Sequence, residues 1–91
     1  MFLVPMTGER ITAAAIRQDG VVCYLPPPAR HHDIIAYIYG QTQKPVTGEQ
    51  GFLTDTGRFV DREVGLHIAK KANQIIEKTG NQKYLFSEDM W

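Results

Sequence analysis

Arg30-His31-His32-Asp33 puts a guanidinium, two imidazoles and a carboxylate on consecutive residues, just where a helix is expected to begin. Helix N-termini expose unpaired N–H groups and carry partial positive charge, so they favour anions. Arg30 at that end makes a phosphate contact. His31 and His32, with unperturbed pKa values near ~6.5, have the chemistry of a general base and acid acting on a phosphodiester without metal. Successive helical residues point about 100° apart, so both rings cannot face one cleft squarely. One of them serves equally well as a capping or surface histidine.

A second group of charges lies in Gly57–Glu63, GRFVDRE. Asp61 is a natural N-cap, because its carboxylate can accept from the N–H groups it precedes. Arg62 in the first turn opposes the helix dipole, and Asp61 and Glu63 beside it offset that cost. A capped helix with local ion pairs therefore accounts for the stretch. The functional reading is that Gly57 lets the backbone approach a ligand while Arg58 or Arg62 forks onto phosphate or carboxylate. Strand alternation puts Arg58, Val60 and Arg62 on one face and Phe59 and Asp61 on the other. That separates a core-packing Phe59 from an outward Arg58, and Arg58 is the better ligand candidate of the two arginines.

LFSEDMW, residues 85–91, supplies the third group. An aromatic Trp91 behind two carboxylates is unusual for a frayed end. It is expected to dock on its own core or on a neighbouring subunit; the alternative is a lid that stacks on a planar ligand such as a nucleobase. No metal or other cofactor is expected. His31, His32, Asp33 and His67 include zinc-ligand types, but no H-x-x-x-H or C-x-x-C spacing organises them. His67 follows Glu63 by four residues, the spacing of a surface ion pair on a helix. The lone Cys23 sits in the apolar run Val21–Leu25 and reads as a buried small hydrophobe.

The elements that must position these groups follow from turn and cap signals. ITAAAIRQDGVVCYL reads as a β-hairpin, because Asp19-Gly20 suits a turn that needs positive φ. Ala13–Ala15 are poor strand formers and leave a short helix open there. PPPA delays any helix until after Pro28; ARHHDIIAYIYG then supplies one, with Ile34, Ile35, Ile38 and Tyr39 as its apolar face and Gly40 as its stop. GFLTDTGRFV is a second hairpin turning at Asp55-Thr56-Gly57. The strongest periodicity predicts a helix from about Arg62 to Thr79, ended by Gly80, with Val64, Ile68, Ala72, Ile75 and Ile76 inward. Tyr84–Phe86 is a candidate edge strand. The fold class is α+β: a small antiparallel sheet built from two hairpins, with two helices packed on one face.

With 91 residues, 43% hydrophobic and 22% charged, the chain is expected to be one soluble domain spanning residues 1–91. Ten basic and ten acidic side chains give a formal net charge of zero, which argues against duplex nucleic acid as partner. The opening MFLVPMTGER is too soon broken by Pro5 and Gly8 for a signal peptide or membrane span, so no membrane partner is expected. One cysteine rules out an internal disulfide and suits a reducing cytoplasm. Small size and the apolar ends Met1–Val4 and Met90–Trp91 favour a homo-oligomer.

Taken together, RHHDII (30–35), EQGFLTDTGRFVDRE (49–63), IAKKANQI (68–75) and LFSEDMW (85–91) resemble a family of small accessory proteins carried by tailed phages and prophages. The resemblance covers about the last two-thirds of the chain. Val64-Gly65 stands where such proteins often have acidic and alanine residues, and Asn73 where glycine is common. Gly65 inside a helix costs about 1 kcal/mol relative to Ala, which points to close packing there. The resemblance implies a phage setting in the host cytoplasm, in which such proteins often act against host defences. The expectation is a counter-defence protein that binds a small nucleotide ligand, such as a cyclic dinucleotide or related immune messenger. Arg30, Arg58, Arg62 and Trp91 would contact it, and His31 and His32 would cleave it if it is cleaved, so the chain is either a metal-independent phosphodiesterase or a sponge. The alternative is a non-catalytic inhibitor docking directly on a host defence protein.

Overall fold

A computed structural model describes residues 8–76, 78 and 83–91. Strands β1 (Ile11–Gln18), β2 (Val21–Tyr24), β3 (Glu49–Thr54) and β4 (Phe59–Asp61) form one antiparallel sheet in the order β2-β1-β3-β4. Helix α1 (His31–Thr42) joins the two hairpins and α2 (Arg62–Lys71) follows the second. Asp19 and Gly20 turn the first hairpin at φ 53° and 78°, the left-handed pair that a two-residue connection demands. Ala13–Ala15 are strand, settling the question their composition left open. Ala14 lies opposite Phe52, and its small side chain leaves room for that ring.

Both helices cover the same face. Phe52, fully buried at the centre of β3, meets the ring of His31 from α1 edge-on at 5.1 Å. It is also the nearest side chain to Gly65 of α2. Ile16, Ile34, Val60, Leu66, Ala69, Leu85 and Met90 complete the core. An irregularity between Ile11 and Ala13 adds one residue to β1. Without it strand alternation would turn Ile11 outward; with it Ile11 pairs Thr54 and joins the core while Thr12 is exposed.

Several elements differ from expectation. Val60, opposite Phe52, is the core residue of β4, while Phe59 lies on the outer face across Gly51 with the Arg17 guanidinium 4.7 Å above its ring. The strand alternates as expected, but it is the Val60 face that meets the core, and Arg62 leaves the pattern because it is already helical. Helix α1 runs through Gly40, whose surroundings are open, and ends at Gln43 with φ 56°. Helix α2 ends at Lys71, well before Thr79, because Asn73 takes φ 57°. Ile75 still packs on the core while Ile76 is exposed. Residues 83–86 form no strand; Leu85 is buried, its N–H donating to the Arg62 carbonyl, and a 3-10 turn follows at Ser87–Asp89. The expected stop at Gly80 and the apolar start Met1–Val4 lie outside the described residues.

Candidate functional site

Asp61 caps α2, its carboxylate accepting from the Val64 N–H at 2.8 Å. That cap starts the helix at Arg62 and so aims the Arg62 side chain out of the β4–α2 corner. There its guanidinium lies over the rings of Phe86 (5.3 Å) and Tyr84 (5.7 Å). Neither Asp61 nor Glu63 pairs with it, and no hydrogen-bond acceptor or carboxylate among the described residues engages it. Arg62 thus keeps its donors available while cation–π contacts hold its plane in place. The i, i+4 pair expected of Glu63 and His67 is likewise not formed.

Two clefts share Arg62 and Gln50. The larger, about 520 Å³, is bordered by Glu49, Asp61, Glu63 and Tyr84; the smaller, about 240 Å³, by His31, His32, Phe86, Ser87 and Glu88. The arrangement is a polar groove with one arginine at its waist.

His31 and His32 part company as their helical spacing requires. His31 is buried, with Nε2 2.7 Å from the Gly51 carbonyl and Nδ1 3.4 Å from Ser87 Oγ. A carbonyl only accepts, so the proton sits on Nε2 and Nδ1 receives the Ser87 hydroxyl. Burial drives the His31 pKa below 6.5; the Gly51 hydrogen bond pulls upward, the Arg62 charge downward and the Glu88 charge upward. Neutral His31 is therefore part of what stabilises the fold. The unfolded chain takes up this proton near pH 6.5 and the folded chain only lower, so stability is full above 6.5 and falls as pH drops below it. Urea unfolding at pH 7.5 and 5.5 should show a larger loss for the wild type than for His31→Gln, which keeps a donor to Gly51; equal losses would show that His31 does not set the acid limb. His32 is on the outside, its side chain 70% exposed and Nε2 3.4 Å from Asp33 Oδ1.

Arg30 and Trp91 hold each other. The Arg30 guanidinium donates through Nε (3.0 Å) and Nη2 to the Trp91 main-chain oxygen, and the Trp91 indole N–H donates to the Ala29 carbonyl at 2.9 Å. Trp91 also packs against the core, so it docks on its own chain. Arg58 stands apart at the turn end of β4, forked onto Glu9 by two 2.8 Å hydrogen bonds. That fork, with help from Thr54 and Thr56, holds the Glu9 carboxyl down to about 2.

The sequence singled out Arg62, His31 and His32, and the structure gathers these three. It sends Arg30, Trp91 and Arg58 elsewhere. Gln50, Ser87, Glu88, Tyr84 and Phe86 were not singled out, although four of the five lie at or beside the LFSEDMW stretch already marked for its tryptophan. Among the described residues no group of three His, Cys, Asp or Glu is placed to hold a metal ion, and no helix is long and apolar enough to cross a membrane.

Compared with known proteins, residues 10–91 match the model of the family described as Phage T4 y16D protein. No curated protein and no solved structure matches the chain.

Proposed function

The chain belongs to the phage T4 y16D protein family, and from that premise we propose that it is a counter-defence protein binding a phosphate-bearing nucleotide signal in the groove around Arg62. The observation that carries the reading is Arg62 itself: an arginine without a carboxylate partner among the described residues, fixed over Tyr84 and Phe86 between two polar clefts. Such a fork suits a phosphate, and charge-assisted bonds of this kind are stronger than neutral ones. His32 adds an exposed imidazole on the same rim, and Glu49, Asp61 and Glu63 across the larger cleft supply acceptors for ribose hydroxyls or base amines.

Sequestration fits better than cleavage. A phosphodiesterase needs a base and an acid both free to exchange protons. His31 has both ring nitrogens engaged by Gly51 and Ser87, which leaves His32 as the exposed imidazole. His31 acts as a positioning residue for Ser87 and the cleft wall.

The test is retention of nucleotides from a panel of cyclic di- and oligonucleotides and cyclic ADP-ribose isomers, followed by mass spectrometry of the filtrate and of the heat-released fraction. A compound held intact is expected, and Arg62→Ala should weaken its retention about 100-fold, the loss of roughly 3 kcal/mol of charge-assisted hydrogen bonding. Arg58→Ala should leave retention unchanged. If every compound passes through unaltered, the nucleotide reading fails and direct docking on a host defence protein takes its place.

A further inference from the structure

The sheet has two edges of different character. Strand β4, three residues long, ends in Asp61 and is flanked by Arg58 and Arg62. Strand β2 carries no charge, nor does any residue from Gly20 to Ala29. Its outer edge pairs with no strand among the described residues. Natural sheets blunt such edges with lysine, proline or a bulge inside the strand; Val21–Tyr24 has none of these. The apolar side chains beside it are open to solvent: Val21 is 59%, Tyr24 54% and, across on α1, Tyr37 58% exposed. Between β2 and α1 runs a groove of about 400 Å³ bordered by Cys23, Leu25, Ile34, Tyr37 and Ile38.

We propose that this edge docks a second copy of the chain, β2 pairing antiparallel with β2 of its partner about a twofold axis to make one continuous sheet. An antiparallel pair of identical strands is self-complementary, and an uncharged edge does not repel its copy. The partner strand satisfies the outward N–H and C=O groups of β2. Its helix-ward side chains enter the groove beneath α1, so one occupant fills both features. Taking about 200 Å² for each tyrosine and about 150 Å² for each valine, the exposed fractions of Val21, Val22, Tyr24 and Tyr37 come to roughly 750 Å² over two copies, the size of a weak interface. The dimer is therefore expected to be weak and concentration-dependent. Because β2 and β4 are opposite edges, the Arg62 groove of each copy stays open, and the inference does not depend on what that groove binds.

Sedimentation velocity from about 1 to 200 µM should show the mass rising from one 10.3 kDa chain towards two. Val22→Lys and Tyr37→Lys should each remain single chains at the highest concentration with unchanged far-UV circular dichroism, while Arg62→Ala dimerises like the wild type. If Val22→Lys loses its structure, Tyr37→Lys, at an exposed helical position, decides alone. A wild type that stays a single chain throughout overturns the proposal. So does a dimer that survives Tyr37→Lys with structure intact, since another face would then hold it.

Discussion

Asp89→Ala is expected to lower the free energy of unfolding by about 3–5 kcal/mol, the effect of removing one partner from a buried ion pair. Asp89 is fully buried and its Oδ2 takes the Lys78 ammonium at 3.0 Å and the Phe86 N–H at 2.9 Å. The Lys78 side chain is itself only 15% exposed, so alanine would take the carboxylate away from a mostly buried cation and from the Phe86 amide. A domain of this size has about 5–15 kcal/mol in all, so the variant would lose a large share of its stability. Urea titration provides the measurement. Asp89→Asn, which keeps an acceptor for Phe86, should fall between the two. A loss below about 1 kcal/mol would mean that Lys78 reaches solvent once freed, and that the pair adds little.

The second large effect belongs to Gly51→Ala. A β-carbon on Gly51 would overlap the Val60 carbonyl oxygen and the Phe59 ring. The ring can swing outward, but the carbonyl belongs to the neighbouring strand and moves only with the β3–β4 pairing. Overpacking of this kind costs about 1–3 kcal/mol, and the upper end is expected because main chain must shift. The damage should not be confined to stability. The Gly51 carbonyl holds His31, and β4 leads directly into Arg62, so ligand retention should fall as well. Gly65→Ala is the contrast. Its added carbon would lie 3.2 Å from Phe52 and 3.5 Å from Leu85, side chains that need yield only a few tenths of an ångström, with no main chain in the way. A gain of about 1 kcal/mol in helix propensity would offset much of that crowding. Thermal denaturation of both variants separates the cases: comparable losses would show that the sheet tolerates the shift and that contact at Gly51 is not special.

The features legible in the sequence were those whose causes are local. Asp19-Gly20 names its own turn, and Asp61 caps the N–H three residues later. Close packing at Gly65 was inferred from a helix that accepts a costly residue, and Phe52 is the reason. The end of α2 is marked locally as well, by Asn73. Its φ of 57° is a left-handed conformation that asparagine accepts more readily than most residues. The hydrophobic spacing continues through Ile75, which packs on the core from outside the helix and so extends the periodicity beyond Lys71.

What could not be read was anything settled by a distant partner. Arg58 and Arg62 differ little on paper, but Arg58 meets Glu9 from the far end of the chain while Arg62 meets two rings instead of a carboxylate. Arg30 looked like a phosphate contact until the fold brought Trp91 to it. The extra residue at Thr12 reverses which of Ile11 and Thr12 is inward, and only the pairing with β3 reveals it.

The segment 85–91 has a consequence for how the core is kept shut. Leu85, Ser87, Asp89 and Met90 are all buried, and Trp91 is tied back to Ala29 and Arg30. Asp89 accepts from Ile76, and Leu85 donates to Arg62. The core beneath the two helices is therefore closed only when this segment docks. A chain lacking residues 85–91 would leave Phe52, Ile34 and Leu66 partly uncovered and would be open to proteolysis. The segment acts as a seal on a core that the sheet and helices alone leave incomplete.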